Sequence, residues 1–362
     1  MQSYPVANID LVALQYNLSR VKQLAPNSQV MSVIKANAYG HGPVQAATAL
    51  SDSDAFAVAR LSEGLQLRQA GIQQPIVLLE GVKSQQELKL AAENSLSLVF
   101  HNQLQIELVS EADLEIPLAF CWLMVETGMH RLGIKIEVLE QSLMRLNDSP
   151  AISGQLGLMS HFANADSIND SRNQQQLDKL QQCAADKNIP LSMANSAAIL
   201  SFADSHCDWV RPGLMLYGVS PFENQSASDL DLKPVMQLKS VLIAIQDLAA
   251  GDQIGYGGDW IASKPTMVGI VSIGYGDGYS RQLSNNSSVL INDNIVSVLG
   301  RVSMDMIAID ISNISGVEIN TEVILWDGDK LSVESVAKQA KTIPYELLCQ
   351  ISERVKRNYH SG

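Results

Sequence analysis

From residue 29 to about residue 217, the chain alternates short apolar runs with longer amphipathic segments. The runs are rich in Val, Ile and Leu and are bounded by turn residues, which is typical of buried parallel strands. Helix-like segments separate them, for example 61–71, 84–94 and 170–187. The predicted strands are QVMSVIK (29–35), DAFAVA (54–59), PIVLLE (75–80), SLSLVF (95–100), PLAFCWLMV (117–125), ISGQLGLMS (152–160), PLSMA (190–194) and CDWV (207–210). Eight strands alternating with helices predict an α/β fold, a closed TIM-like (β/α)8 barrel, with an open doubly wound sheet as the alternative.

After residue 220 the pattern changes. A polar segment, 221–234, has a proline at each end and is typical of a linker. The strand-like runs that follow it are separated by turn signals and predict a mostly β domain, and the tail returns to helix near residues 331–340 and Pro344. We therefore predict a barrel over residues 1–225 and a mostly β C-terminal domain over 226–362, and we expect the first residues to pack with the second domain.

Composition narrows the classes of function. Apolar residues make up 46% of the chain, which is too many for a disordered protein, and the net charge of −13 argues against nucleic acid or an anionic membrane as a partner. Neither the four scattered cysteines nor the histidines show the spacing of metal ligands, so no metal is predicted. The start of the chain lacks a signal-peptide pattern and no apolar run is long enough to span a membrane, so we expect a cytoplasmic protein.

Polar residues follow five of the predicted strands directly. In a barrel, function belongs at the carboxyl ends of the strands, so these positions are the candidates for chemistry. They are Lys35, the segment from Glu126 to Arg131, His161, the pair Asn195 and Ser196, and the segment from Arg211 to Gly213.

Each of these residues has a functional and a structural interpretation. Lys35 in apolar surroundings would have a lowered pKa and suit a Schiff base, but it could also be a solvated lysine at a strand end. Ser196 and Gly213 follow strands seven and eight, the usual phosphate corner of such barrels, but they could be a helix cap and a turn glycine. Arg211 could donate to a pyridine nitrogen or form a salt bridge at the rim, and His161 could be a satisfied core histidine.

The chain also resembles a known family. The matching segments are VIKANAYGHG (33–42), ETGMHRLG (126–133), HFANAD (161–166), ANSAA (194–198), VRPGLMLYG (210–218), GDQIGYGG (251–258), IGYGDGY (273–279), GRVSMD (300–305) and IPYE (343–346). In these motifs, which run in family order across nearly the whole chain, it resembles the bacterial alanine racemases, which are barrel-type enzymes that use pyridoxal 5'-phosphate.

The resemblance implies a homodimer with shared active sites that interconverts L- and D-alanine and supplies D-alanine for peptidoglycan synthesis. Two bases on opposite faces of the substrate would act, Lys35 of one subunit and Tyr256 of the other. The residues implied to bind the cofactor are Lys35, Tyr39, His161, Asn195, Ser196, Arg211, Gly213, Leu214 and Tyr345. Those implied to bind the substrate or shape its pocket are Arg131, Tyr275, Met304 and Asp305.

One position departs from the family pattern. A lysine, often carbamylated, commonly lies two residues before the acidic residue of the TGM motif, and here that position is Met124. Methionine cannot carry a carbamate, so Arg131 would lack its usual anionic partner, although Glu126 in place of the usual aspartate could partly compensate. We hypothesise that a small anion such as chloride, or water, occupies the space.

Three alternatives remain open. A racemase of broader specificity would need a roomier pocket. An amino-acid decarboxylase is built on the same plan of barrel and β domain, but Tyr256 and the VSMD segment favour racemisation. A non-catalytic carrier of pyridoxal phosphate resembles the barrel alone, so the long region after the linker counts against it.

Overall fold

The computed structural model describes residues 4–285 and 287–361. Strand β1 (Val6–Asp10) comes first, and the eight strands that follow it close into a parallel barrel. They are β2 (Gln29–Val33), β3 (Ala55–Val58), β4 (Ile76–Leu78), β5 (Leu96–Phe100), β6 (Leu118–Met124), β7 (Ile152–Met159), β8 (Leu191–Ser192) and β9 (Trp209–Val210). The pairing of β2 with β9 closes the barrel, which confirms the predicted fold and excludes the open sheet.

Eight helices belong to the barrel region of the described chain. They are α1 (Leu11–Leu24), α2 (Pro43–Ala49), α3 (Leu61–Gln69), α4 (Gln85–Glu93), α5 (Gln103–Ser110), α6 (Leu139–Asn147), α7 (Ser171–Ala184) and α8 (Ser196–Ser201). Short polar side chains begin several of them: Ser84 Oγ accepts the backbone N–H of Glu87, and Asn102 Oδ1 accepts that of Gln105. Each helix buries one apolar stripe against the strands, and this packing holds the strand ends in fixed positions.

The remaining strands form the predicted β region. They are β10 (Met236–Leu248), β11 (Gln253–Ile254), β12 (Trp260–Ile261), β13 (Thr266–Val271), β14 (Ser288–Ile291), β15 (Asn294–Leu299), β16 (Ile307–Asp310), β17 (Glu322–Trp326) and β18 (Lys356–His360). The long strand β10 pairs with both β13 and β17, so the antiparallel pairing of β10, β13, β16, β15, β14 and β17 runs in a ring. Among the described residues, strands β11 and β12 pair only with each other. Two helices complete the β region, α9 (Val333–Gln339) and α10 (Pro344–Gln350).

The two ends of the described chain meet in this second sheet. Strand β1 pairs antiparallel with β10 and parallel with β18. The expectation that the first residues pack with the β domain therefore agrees with the pairing. Strand β18, with the sequence KRNYH, was not predicted, because none of its side chains is fully buried and its sequence therefore shows no alternation of apolar residues.

The segment 221–234 connects the two units, as expected of a linker, but it is packed against the protein. Phe222 and Leu232 are buried, and the backbone N–H of Ser220 donates to Glu334 Oε1 of α9 at 3.0 Å. The connection is therefore anchored at both ends.

Within residues 4–285 and 287–361, no helix has both the length and the apolar character needed to cross a bilayer. Over the same ranges, no group of three or more His, Cys, Asp or Glu side chains is arranged to hold a metal ion. All four cysteines are unpaired thiols.

Candidate active site

Lys35 begins a left-handed turn just past the end of β2. Four consecutive residues after it, Ala36 to Tyr39, have φ values between 50° and 57°. This region costs about 1–2 kcal/mol per residue with a side chain, so the surroundings must hold the turn in place. Sequence reasoning missed it, because alanine and tyrosine carry no preference for left-handed backbone.

Glu63 is one group that holds the lysine turn. Its Oε1 accepts the backbone N–H of Ala36 at 2.7 Å, and its Oε2 accepts those of Ala59 and Arg60 at 2.8 and 3.0 Å. Glu63 lies in the first turn of α3, so one carboxylate joins the lysine turn to the end of β3. Charge-assisted bonds of this kind are roughly twice as strong as neutral ones.

The C-terminal helix α10 packs on the same turn from the other side. A side chain on Gly40 would lie 2.1 Å from the carbonyl oxygen of Leu348, so only glycine permits this approach. The approach brings Tyr345 and the thiol of Cys349 to the site. Cys349 was not predicted as a neighbour of Lys35, because nothing in its spacing connects the two residues.

The surroundings of Lys35 lower the pKa of its amine. Burial is the largest cause and the charge of Arg131 adds to it, while Glu63 acts in the opposite direction. A lysine with a lowered pKa is more often the neutral nucleophile that covalent catalysis requires. The electrostatics therefore favour the functional interpretation of Lys35 over a solvated lysine.

Arg211 is buried in a network of hydrogen bonds rather than in a salt bridge. Its Nη1 donates to Ser192 Oγ at 2.6 Å, and its Nη2 donates to the carbonyl oxygens of Ser160 and Met193. Burial lowers the pKa of the guanidinium to about 10. Within residues 4–285 and 287–361, its Nε has no hydrogen-bond partner and remains available to a ligand.

His161 touches this network. Its Nδ1 lies 3.4 Å from Nη2 of Arg211. Burial, followed by the positive charges of Arg211, Arg131 and Lys35, lowers the pKa of the imidazole to about 3. The ring is therefore neutral near pH 7, and because Nδ1 faces a donor, we assign the ring proton to Nε2.

Ser196 and Gly213 meet where strands β8 and β9 end. Ser196 Oγ accepts the backbone N–H groups of Gly213 at 2.9 Å and Met215 at 3.2 Å, and Asn195 caps the helix that Ser196 begins. An oxygen that accepts two bonds keeps its own proton free to donate. Leu214, buried between the two amides, places them side by side.

Three tyrosines line the wall beside this corner. Tyr39 stacks on Tyr217 at 4.7 Å between ring centroids and lies 5.9 Å from Tyr345. A side chain on Gly213 would come 2.6 Å from the hydroxyl oxygen of Tyr39, so this glycine leaves room for the phenol. Burial raises the pKa of Tyr345 to about 12 and that of Tyr39 further, so both remain hydrogen-bond donors.

Tyr217 is a part of the site that sequence reasoning missed. Its hydroxyl donates to the carbonyl oxygen of Val33 at 3.0 Å, which fixes the strand end before Lys35. The residue lies inside one of the motifs that resemble the family, VRPGLMLYG. An aromatic residue within that motif was the one sign in the sequence that could have pointed to it.

Arg131 is exposed, and no carboxylate of the described residues lies within ion-pair distance of it. Glu126 is engaged elsewhere: its carboxylate accepts the backbone N–H groups of Gly128 and His130 within its own loop. Met124, at the end of β6, brings no charge. Glu126 does not pair with Arg131, and the hypothesis of a small anion or water beside Arg131 stays a prediction.

The other predicted residues lie in the β region. Tyr256 is 72% exposed on a short turn between β11 and β12, and Tyr275 and Met304 are also exposed. Asp305 Oδ1 accepts a bond from Arg354 Nη2 at 2.7 Å. The side chains whose charges act on Lys35 are Arg131, Glu63, Glu80 and Cys349.

Sequence models of known families match both parts of the chain. That of the alanine racemase N-terminal domain matches residues 9–221, and that of the C-terminal domain matches residues 235–359. The chain belongs to the alanine racemase family. It is accordingly an enzyme, an isomerase of that family, and the resemblance seen in its motifs is confirmed.

Curated relatives in the alanine racemase family align over almost their full length. The chain is 44% identical to the alanine racemase of Aeromonas hydrophila, over 98% of this chain and 99% of that one. It is 46% identical to that of Nitrosococcus oceani over the same shares, and 47% identical to that of Legionella pneumophila strain Lens over 96% and 97%.

Solved structures of alanine racemases share the fold. The biosynthetic alanine racemase of Pseudomonas aeruginosa superposes with a TM-score of 0.93 at 42% identity, covering 99% of this chain and 100% of that chain. The alanine racemase of Bartonella henselae, solved with covalently bound pyridoxal phosphate, superposes with a TM-score of 0.89 at 28% identity, over 99% and 100%.

Proposed function

We propose that this enzyme racemises alanine with pyridoxal 5'-phosphate as its cofactor, using Lys35 and the partner subunit's Tyr256 as two bases. The single observation that carries the proposal is the convergence of Lys35, Arg211 and Ser196 at one end of the barrel. Lys35 offers an amine that can react with an aldehyde, and Arg211 offers a hydrogen-bond donor to a pyridine nitrogen. Ser196 lies at the corner that could bind a phosphate. The names of the relatives support alanine as the substrate.

The residues present fit this cofactor. Because Ser196 Oγ already accepts the backbone N–H groups of Gly213 and Met215, the donors offered to a phosphate would be the hydroxyl proton of Ser196, the backbone N–H of Leu214 between those two amides, and the phenol of Tyr39 beside Gly213. Arg211 would face the pyridine nitrogen through its free Nε, and Lys35 would hold the cofactor covalently. Because a guanidinium cannot accept a proton, it would keep the pyridine nitrogen unprotonated.

When bound, pyridoxal phosphate supplies an electron sink that acidifies the α-hydrogen of an attached amino acid. The protein must then move a proton between the two faces of the α-carbon. Lys35, with its lowered pKa, can take or return a proton on one face. On the other face, Tyr256 of the partner subunit would take or return the proton as the second base. The neutral His161, whose Nδ1 lies towards Arg211, would keep its Nε2–H available as a donor.

Tyr256 belongs to a second subunit in this proposal. Its side chain is 72% exposed on the turn between β11 and β12, in the second unit of the chain. A homodimer in which each β region covers the partner's barrel mouth would place the exposed Tyr256, Tyr275 and Met304 at the partner's site. D-alanine made in this way would supply peptidoglycan synthesis.

A coupled assay tests the reaction. Purified protein with added pyridoxal phosphate is incubated separately with L-alanine, L-serine and L-lysine, and D-amino-acid formation is followed. We expect D-alanine from L-alanine. Comparable rates with L-serine or L-lysine would favour the broader-specificity racemase, release of carbon dioxide would favour the decarboxylase, and no D-alanine would reject the proposal.

The second base has its own test. Tyr256→Ala should suppress turnover of L-alanine far more than it weakens the visible absorbance of the bound cofactor. An equal loss of both would mean that Tyr256 acts in cofactor binding instead.

The anion proposed beside Arg131 has a separate test. Crystals are soaked in bromide, and anomalous diffraction is measured to locate bromide next to Arg131. A protein carboxylate found at that position would reject the proposed anion.

A further inference from the structure

The turn that carries Tyr256 is held by few contacts of its own backbone. It joins β11 and β12, which share only the register pairs Gln253 with Ile261 and Ile254 with Trp260. Three glycines in the turn have positive φ values, 73° at Gly255, 76° at Gly257 and 59° at Gly258. Glycine is the least restricted residue, so this backbone loses more entropy than any other when it is fixed.

An arginine that is distant in sequence forms an ion pair with the end of this turn. Arg301 follows β15, and its guanidinium forms two hydrogen bonds with the carboxylate of Asp259, from Nη2 to Oδ1 at 2.9 Å and from Nε to Oδ2. Asp259 comes directly after the Tyr256 turn. A two-bond fork of this kind fixes orientation as well as distance, because both planar groups must align.

The guanidinium also lies against the turn itself. A side chain on Gly257 would come 3.1 Å from both Cζ and Nη2 of Arg301. Beside it, a side chain on Gly300 would come 3.1 Å from the carbonyl oxygen of Ile254, at the start of the turn. The loop of Arg301 therefore contacts the Tyr256 turn at its beginning, its middle and its end.

The same loop leads into the proposed substrate side. Met304 and Asp305 follow Arg301, and the backbone N–H of Gly276 donates to the carbonyl oxygen of Met304 at 2.8 Å. Arg354 ties Asp305 in turn to the buried carboxylate of Asp277. The turn of Tyr256 is thus connected to the loops of Met304 and Tyr275, and these elements form one continuous surface.

We propose that the Asp259–Arg301 ion pair is a positioning device for Tyr256, which holds the phenol where it can exchange a proton with substrate in the partner's site. This inference rests on the proposed function. The pair is more than a third exposed at each side chain, so it adds little to the free energy of unfolding, and its value lies in geometry. A misplacement of about 1 Å in a catalytic group can cost roughly a hundredfold in rate.

The test uses Asp259→Asn, which keeps the shape of the side chain but replaces one acceptor oxygen by a donor. Arg301→Lys, which keeps the charge without the fork, and the double variant complete the set. The control is Glu322→Gln, which breaks another ion pair of the β region, that of the exposed Glu322 with the partly buried Lys239 at 2.6 Å. Neither Asp259 nor Arg301 has been assigned to the catalytic machinery.

The first readout is the ratio of solvent exchange at the α-hydrogen to racemisation, measured in deuterium oxide. For the enantiomer whose proton Lys35 takes, exchange with retention needs only Lys35, whereas racemisation also needs Tyr256. We expect this ratio to rise about tenfold or more in Asp259→Asn and in Arg301→Lys. In both variants, kcat should change by a larger factor than KM. The double variant should show no further rise in the ratio, because both substitutions break the same ion pair. Glu322→Gln should match the wild type.

The second readout is independent of catalysis. Hydrogen–deuterium exchange of the backbone amides at 255–258, measured on apoprotein, should be faster in Asp259→Asn and unchanged in Glu322→Gln. If the wild type fails to racemise alanine, the proposed function is wrong, and this measurement still decides whether the pair holds the turn. Unchanged amide exchange, or an unchanged ratio in an active variant, would overturn the inference.

Discussion

Buried polar side chains near Arg211 act mainly by holding other polar side chains in place. Ser192 is fully buried, donates to the carbonyl oxygen of Trp209 and accepts a bond from Arg211. It contacts no proposed reacting atom. A buried guanidinium whose partner is removed loses a charge-assisted bond and is free to tilt, so the serine determines where the Nε of Arg211 points.

Ser192→Ala is expected to lower both activity and stability. The change leaves Nη1 of the buried guanidinium without its partner, which costs about 1–3 kcal/mol of the free energy of unfolding. Ser240→Ala is the matched control, because Ser240 is equally buried and its Oγ donates to the carbonyl oxygen of Ser272 in the β region.

Urea unfolding and turnover per bound cofactor would be measured for both serine variants. The control should lose stability by about 1 kcal/mol or less with full turnover per site. Equal turnover in Ser192→Ala and Ser240→Ala would show that the orientation of Arg211 does not depend on Ser192.

His161 makes stability depend on pH. Its pKa is about 3 when folded, against 6.5 for a free imidazole, so between these values the unfolded chain binds the extra proton. Stability therefore falls as pH falls from 6.5 towards 3, by up to about 1.4 kcal/mol per pH unit. His161→Gln should remove this contribution.

Urea unfolding of apoprotein between pH 4.5 and 7 measures the slope. We expect a shallower slope in His161→Gln than in the wild type. His41 remains in the variant and destabilises in the same direction, since burial lowers its pKa to about 4. A slope identical to that of the wild type in His161→Gln would mean that the ring takes up its proton over the same pH range in the folded and the unfolded chain.

At the scale of elements, two helices begin in the same way but have different tasks. Glu63 in α3 and Glu87 in α4 occupy the same position in the first turn, and each accepts a backbone N–H from the residues just before its helix. Glu63 additionally holds Ala36 in the left-handed turn of Lys35. A comparison of substitutions at Glu63 and Glu87 therefore separates the effect of capping a helix from the effect of holding the turn of Lys35.

Glu63→Gln is expected to reduce cofactor loading, while Glu87→Gln leaves it unchanged. Both oxygens of Glu63 accept N–H groups, so an amide nitrogen there would necessarily oppose a donor. The fraction of chains that bind pyridoxal phosphate covalently, trapped by borohydride reduction, measures the effect. Glu87→Gln can keep its single accepted bond through the amide oxygen, so it should also lose less stability than Glu63→Gln. Equal loading in the two would show that the lysine turn does not need Glu63.

The elements also show what a sequence can and cannot predict. Strand ends were predictable, because apolar runs mark the barrel strands and the polar residues after them must lie at one end. Lys35, His161, Ser196 and Arg211 were located in this way. Glu63 and Cys349 were not, since they reach the site from helices whose packing against the lysine turn leaves no local pattern.

At the scale of the whole molecule, the chain divides near the segment 221–234, and we propose residues 1–225 and 226–362 as its domains. The matched family domains and the barrel support this division. Strand β1 is the exception, because it lies in the sheet of the second unit. The pairing of β1 with β10 and β18 thus links the start of the barrel region to the sheet of the second unit.

If each site needs Lys35 of one subunit and Tyr256 of the other, two inactive variants should complement each other. Lys35→Ala and Tyr256→Ala homodimers each lack one base in both sites. In a mixed dimer, one site carries both lesions and the other carries none. Random exchange of subunits makes half of the dimers mixed, so about a quarter of wild-type activity should return.

Unfolding and refolding the two variants together, and then apart, measures this recovery, with a single chain carrying both substitutions as the control. The control mixed with wild type gives dimers in which each site carries one lesion, so it should restore nothing beyond the wild-type homodimers. Recovery is specific to a shared site, because two bases within one chain cannot be restored by pairing. If the separate variants stay inactive after mixing while a dimer forms, Tyr256 serves its own chain and the two-subunit site is wrong.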